Sequence, residues 1–318
     1  MERPALNRRY ARFVDAVRDR AMGSVLGLVV GDALGAPFEF KRAHDVPKPI
    51  PAFALDWFGL PPGTWTDDTA LARNLWLSLL AHEGRLETAD IVRRHLAWLA
   101  TSPRDVGSIT RRVLTWTDAG VEDAAHRYVT ERGPEMSAGN GSVMYCAPLG
   151  VVSAFRPHEL LTTAPRLSAI THWDERCRTG CIAVTLTAAA LVRGESGEEA
   201  VRSALKAVAD REGGEELEHL VGAAGVERPI DGPDQGFVFF TTGVALRVAG
   251  EERGFEEGLR EVIALGGDAD TNASVTGALL GALHGVDAIP SPWLEVLAEG
   301  REIRREAELV AALAAERG

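Results

Sequence analysis

Two short segments of this sequence set paired carboxylates at what read as helix starts. Thr66-Asp67-Asp68-Thr69 stands just before the amphipathic run Ala70 to Ala81, and Asp268-Ala269-Asp270-Thr271 follows Gly266-Gly267 and precedes a second helical run. One reading is N-capping, in which Thr and Asp accept bonds from free backbone N–H groups and complement the helix dipole. A single cap residue meets that need, whereas each segment carries two carboxylates. Four like charges in or near a core call for a counter-charge of similar size, which divalent cations supply. The donors are Asp, Thr and Glu oxygens with no His/Cys pair close by, so the set suits hard ions, Mg²⁺ or Mn²⁺, ahead of Zn²⁺.

Further candidates lie outside these pairs. In Gly31-Asp32-Ala33-Leu34-Gly35-Ala36-Pro37-Phe38-Glu39 the proline ends a helix, which leaves Glu39 on the turn beyond it, where, taken alone, it reads as a solvated loop residue. Gly139-Asn140-Gly141-Ser142, between Pro134 and Pro148, is either a turn or a cup of free N–H groups for a phosphate. It lacks the Gly-x-Ser-x-Gly order of a nucleophile elbow. Cys146, Cys177 and Cys181 match no zinc spacing and read as reduced thiols, with Cys177 and Cys181 as small core residues four apart.

The elements that hold these residues read as helices. Apolar residues at i, i+3, i+4, i+7 recur through 71–82, 88–100, 178–193, 199–209, 237–250 and 256–264, and strand-like alternation is nearly absent. Gly84 follows one run, Thr88 and Asp90 precede another as caps, and Pro103, Pro134, Pro148 and Pro165 punctuate. Polar stretches in 194–235 (GESGEE, REGGEELE, DGPDQG) read as surface turns around a short helix or two, so the expectation is an all-α chain with 1–318 as a single domain. Glycine recurs every fourth position at Gly23, Gly27, Gly31 and Gly35, and again at Gly277, Gly281 and Gly285 with Ala273 before them. Each glycine inside a helix costs about 1 kcal/mol against alanine, so two smooth faces that let helices approach closely are the expected compensation. If those faces meet antiparallel, Asp32 to Glu39 lies beside Gly266 to Thr271.

Composition narrows the function. Of 318 residues, 34 are Lys or Arg and 46 Asp or Glu, a formal net charge of −12. That is the wrong sign for holding nucleic acid by phosphate neutralisation. The first twenty residues carry alternating charges and no apolar run, and the longest apolar stretch, Ala21 to Val30, is about half a bilayer crossing. The expectation is a cytoplasmic protein with no secretory signal and no membrane span.

Taken together, GDALGAPFE (31–39), GTWTDDTALA (63–72), SPRDVGSIT (102–110), SAGNGSVM (137–144), ITHWDERC (170–177), GFVFFTTGVALRVA (236–249) and LGGDADTNASVTGALLGALHG (265–285) resemble the ADP-ribosylglycohydrolase family, in order and over about residues 21–290. The resemblance implies an all-helical fold with a two-metal centre in a cleft, and hydrolysis of the glycosidic bond between ADP-ribose and an acceptor. Thr66, Asp67 and Asp68 match the family's first ligand cluster, and Asp268, Asp270 and Thr271 the second. Glu39 matches an acidic residue that some members use to activate or orient water, and Asp105 an aspartate to which others assign the base role. Gly107, Ser108, Asn140, Gly141 and Ser142 match loops around the diphosphate and riboses, and His172 a histidine of the same cleft. Members often carry Arg after the Gly-Asn-Gly-Ser-x-Met run, where this sequence has Tyr145. Trp57, Trp65 and Trp173 adjoin the motifs and would either stack on adenine or acceptor or pack in the core.

The implied reaction is ADP-ribosyl-X + H₂O → ADP-ribose + HX, through an oxocarbenium-like state that needs a placed water, a base and charge stabilisation. The implied partner is an ADP-ribosylated substrate, a protein above all. Two alternatives use the same residues. One is two-metal phosphoester hydrolysis of ADP-ribose compounds, and the other is an ADP-ribose-binding module without turnover.

Overall fold

Helical spacing of apolar residues dictates most of the architecture. The computed structural model describes residues 3–53, 59 and 61–317, with 3–9 described through their backbone. Among them the chain forms α1 (Arg3–Gly35), α2 (Asp67–Ala81), α3 (Thr88–Leu99), α4 (Ser108–Asp118), α5 (Ala124–Arg132), α6 (Ala147–Val152), α7 (Pro157–Ser168), α8 (Glu175–Arg193), α9 (Gly197–Val208), α10 (Gly214–Ala223), α11 (Val238–Gly250), α12 (Phe255–Ile263), α13 (Ala269–His284), α14 (Ser291–Val296) and α15 (Gly300–Glu316). Two-residue strands β1 (Lys41–Arg42) and β2 (Gly266–Gly267) pair antiparallel, Lys41 opposite Gly267. The fold is all-α, and each of the six periodic runs lies on a helix.

Some local expectations change. Thr88 is the first helical residue of α3 and the preceding Glu87 makes no side-chain cap bond. Pro165 lies inside α7 and does not end it. Its ring has no N–H to offer the carbonyl of Leu161, a residue on the exposed side of the helix. Gly84 does close α2, its N–H donating to Leu79 O at 2.7 Å with φ +79°.

The axis of the molecule is the antiparallel crossing of α1 and α13. A Cβ at Gly23, Gly27, Gly31 or Gly35 would come within 2.5 Å of the backbone of Gly281, Gly277, Ala273 and Ala269 in turn. The two backbones therefore touch at four successive points, over about three turns. Leu26, Leu28, Val29, Val30 and Leu34 between those glycines are fully buried, and at about 1.5–3 kcal/mol per buried side chain they outweigh the glycine cost. By length and composition α1, from Tyr10, could cross a membrane, contrary to expectation, but 94% of that apolar window is buried inside the fold. It is the core helix. On another side α15 holds α2: Glu306 accepts from Arg73 Nη2 at 2.7 Å and from Trp76 Nε1 at 2.8 Å. A small separate cluster of Val113, Ala124, Ala125 and Tyr128 packs α4 on α5.

Candidate active site

The helix crossing brings the C-terminal end of α1 beside the N-terminal end of α13, and the site grows from that junction. Pro37 sits in a single 3₁₀ turn, Ala36–Phe38, and Glu39 caps it. Phe40 N donates to Gly267 O at 2.7 Å, so the β1–β2 ladder ties Glu39 to the segment that carries Asp268 and Asp270. Gly266 and Gly267 have φ of +67° and +73°, and a Cβ on either would strike the backbone of Lys41 or Ile230.

Asp32, fully buried near the end of α1, sets the start of α2. Its carboxylate accepts from the backbone N–H of Thr66 at 3.0 Å, from Thr66 Oγ1 at 2.9 Å and from the N–H of Thr69 at 2.9 Å. That cap frees Asp67 and Asp68 to face outward from the helix end. Cross-links then join the clusters. Thr271 Oγ1 donates to Asp68 Oδ2 at 3.2 Å, and Asn140 Nδ2 lies 2.8 Å from Asp268 Oδ2. Carboxylate oxygens of Glu39, Asp105 and Asp270 lie within 4.8 Å of one another. Both threonines give their proton to a carboxylate and keep oxygen lone pairs.

These groups line a cleft of about 440 Å³ together with Gly107, Ser108, Asn140, Gly141 and His172, a size that suits a small ligand. Larger depressions, of about 830 and 720 Å³, lie on α14–α15 and between α9, α10 and α11, away from these carboxylates. The cleft is electrostatically strained. Burial, with the charge of Asp105 next, raises Asp67 from 3.8 to about 7, against the Gly107 N–H that donates to it at 3.0 Å. Burial also raises Asp68, with Asp32 and Asp67 adding, and Asp270, with Glu39 and Asp268 adding, well above the ordinary value. Asp105 is raised too, by burial and Asp268. Asp68 Oδ1 is buried with no hydrogen-bond partner. A buried, unpartnered carboxylate oxygen amid raised carboxylates is what a hard cation would satisfy, so the donor set fits a metal.

Other expected residues fall variously. His172 packs over Gly139 and Gly141, its Nδ1 2.9 Å from Thr171 Oγ1, and burial lowers its pKa to about 4, which leaves it neutral. Ser108 opens α4, whose N-terminus carries no side-chain cap and borders the cleft. Ser142 does not line the cleft: its side chain is fully buried and its hydroxyl accepts from Ser168 Oγ at 3.0 Å. Packing against α7 and α8 turns it inward. Tyr145 is likewise interior, edge-on to His95 at 5.5 Å, and does not line the cleft. Thr66 lines a side pocket of about 130 Å³ that shares Asp67 and Asp105 with the cleft. Trp65 lines that side pocket, Trp173 packs beside His126, and Trp57 lies outside the described residues. Sequence reasoning gave no role to Asp32, Thr241 or Gly236. Asp32 could have been noticed as a charge inside an apolar helical run. Thr241, 3.0 Å from Asn140 Nδ2, and Gly236, whose carbonyl accepts from Asn140 N at 3.0 Å, carry no local signal.

The fold is an all-α one with an acidic cleft at a glycine-seamed helix crossing, and the sequence profile of the ADP-ribosylglycohydrolase family matches residues 14–318. The chain belongs to that family. It is 33% identical over 306 residues to the ADP-ribosyl-[dinitrogen reductase] glycohydrolase of Rhodospirillum rubrum, spanning 94% of this chain and 98% of that one. It is 27% identical over 310 residues to the ADP-ribosylarginine hydrolase Tri1 of Pseudomonas putida, across 91% and 77% of the two chains. A solved structure described as an ADP-ribosylglycohydrolase-related protein complex superposes with a TM-score of 0.76 at 31% identity, covering 94% and 99%.

Proposed function

We propose that this enzyme releases ADP-ribose from ADP-ribosylated protein side chains, with arginine as the acceptor, and that two divalent cations, Mg²⁺ or Mn²⁺, serve it. The unpartnered, buried Asp68 Oδ1 carries the metal part of this reading. Thr66, Asp67, Asp68, Asp268, Asp270 and Thr271 would hold the ions. When bound, they supply counter-charge to the carboxylates and Lewis acidity toward ribose hydroxyls. The uncapped N-terminus of α4 and the Gly139–Gly141 turn offer N–H groups to the diphosphate. Neutral His172 forms a wall beside them. Asp105 borders both the cleft and the side pocket and is the better placed to move a proton between water and the departing acceptor, while Glu39 orients the water. The names of the relatives that act on ADP-ribosylarginine and on ADP-ribosylated dinitrogen reductase support arginine and a protein substrate. The free, buried cysteines fit the reducing cytoplasm, and one apolar core shared by most described helices fits a single domain of residues 1–318.

The test is incubation with Mn²⁺ or Mg²⁺ and an arginine-ADP-ribosylated peptide, with mass spectrometry of the products. Free ADP-ribose and unmodified peptide are expected. Release of AMP would instead indicate phosphoester hydrolysis, and binding without turnover an ADP-ribose reader.

A further inference from the structure

Asp67 and Asp105 line two cavities at once. On one side is the cleft, and on the other the pocket of about 130 Å³ whose remaining walls include Trp65, Ala70, Trp98 and Pro103, with exposed Arg104 at its rim. The small pocket shares no residue with the Gly107–Thr110 and Gly139–Gly141 loops or His172. ADP-ribose held by those loops would lie on the cleft side of the two carboxylates, which leaves the other side for the group departing from its anomeric carbon. The wall there is preformed. Trp65 and Trp98 are half-buried against the core, and Trp65 Nε1 donates to Ala298 O at 3.2 Å, which fixes that indole.

On the footing of the hydrolase reading above, we infer that this side pocket is the acceptor subsite and that Trp65 and Trp98 determine its preference for a guanidinium side chain. A guanidinium is planar, weakly hydrated and stacks on aromatic faces, whereas a serine acceptor ends one carbon beyond its oxygen and leaves both indoles uncovered. The volume admits one side-chain head and not a folded peptide segment.

The test uses the full chain with Mn²⁺, arginine- and serine-ADP-ribosylated peptides, and agmatine as a leaving-group analogue. The wild type is expected to prefer the arginine peptide and to be inhibited by agmatine. Trp98→Leu should lower kcat/KM on the arginine peptide about tenfold and weaken agmatine inhibition by a similar factor, while the inhibition constant of ADP-ribose moves less than about twofold. Trp98→Phe, which keeps a ring, should recover most of the loss. Trp65→Leu, on a different segment, should act in the same direction and serves if the Trp98 variant does not fold. Undiminished agmatine inhibition in the variants, a parallel loss of ADP-ribose and agmatine binding, or a wild-type preference for serine would each overturn the assignment. If the wild type frees ADP-ribose from no peptide, the hydrolase reading fails instead, and calorimetric titration of agmatine into wild type and Trp98→Leu still decides the pocket.

Discussion

Asp32 never reaches the cleft, yet it is the carboxylate on which the orientation of Asp67 and Asp68 rests. Its removal in Asp32→Ala leaves the N–H groups of Thr66 and Thr69 without their acceptor. We expect a loss of about 3 kcal/mol in urea unfolding, from the cost of unsatisfied buried donors, together with weaker Mn²⁺ binding. An unchanged unfolding midpoint would contradict this role. Asp68→Asn should act with the opposite sign on the metal-free protein. It removes one charge from a buried, mutually repelling set, so thermal unfolding in EDTA should occur at higher temperature than in wild type, while Mn²⁺ adds little and turnover is lost. A variant that gained as much from Mn²⁺ as the wild type would refute the ligand role. At this scale the paired carboxylates were legible because two per helix start exceed what capping needs. Asp32 was not, because its partners lie more than thirty positions along the chain, and the inward turn of the Ser142 hydroxyl, set by packing, has no local signal either.

Among the elements, the α1–α13 seam invites a paired comparison. A Cβ at Gly27 would strike the backbone of Gly277, whereas one at Gly222, inside α10, meets nothing within 4 Å. Gly27→Ala should therefore destabilise by about 1–3 kcal/mol through overpacking and reduce activity by parting Glu39 from Asp270. Gly222→Ala should be neutral or stabilise by up to about 1 kcal/mol. Equal thermal shifts in the two variants would contradict the seam. The close approach could be read from the four-residue glycine period, since only close backbones repay glycine in two helices, whereas its antiparallel sense came from the structure, where Gly23 meets Gly281 and Gly35 meets Ala269. The β1–β2 ladder could not be foreseen, because two residues are too few for an alternating pattern.

For the whole molecule the sign of the acidity response follows from the raised carboxylates. Asp67 has its folded pKa near 7 against 3.8, and Asp68 and Asp270 are raised as well. Without metal, the native state binds more protons than the unfolded chain between those values, so stability from these groups is full below about pH 4 and is lost as pH rises through about 7. Buried His95 and His172, lowered to about 3 and about 4, work the other way and cost stability as pH falls below their ordinary 6.5. Cations compete with the protons on the carboxylates alone. The rise in unfolding temperature on adding Mn²⁺ should thus be small at pH 5 and grow toward pH 8, measured by calorimetry; an equal rise at both would separate the ions from these groups. The glycine seam also bears on how the protein is made. Because α1 is made long before its mate, which begins only at Ala269, a growing chain carries the glycine face of an apolar helix without its partner through most of the synthesis between them. Interruption before that point yields half of an acidic centre and a sticky surface, so this protein should depend on holdase protection at the ribosome more than a fold built from neighbouring helices does.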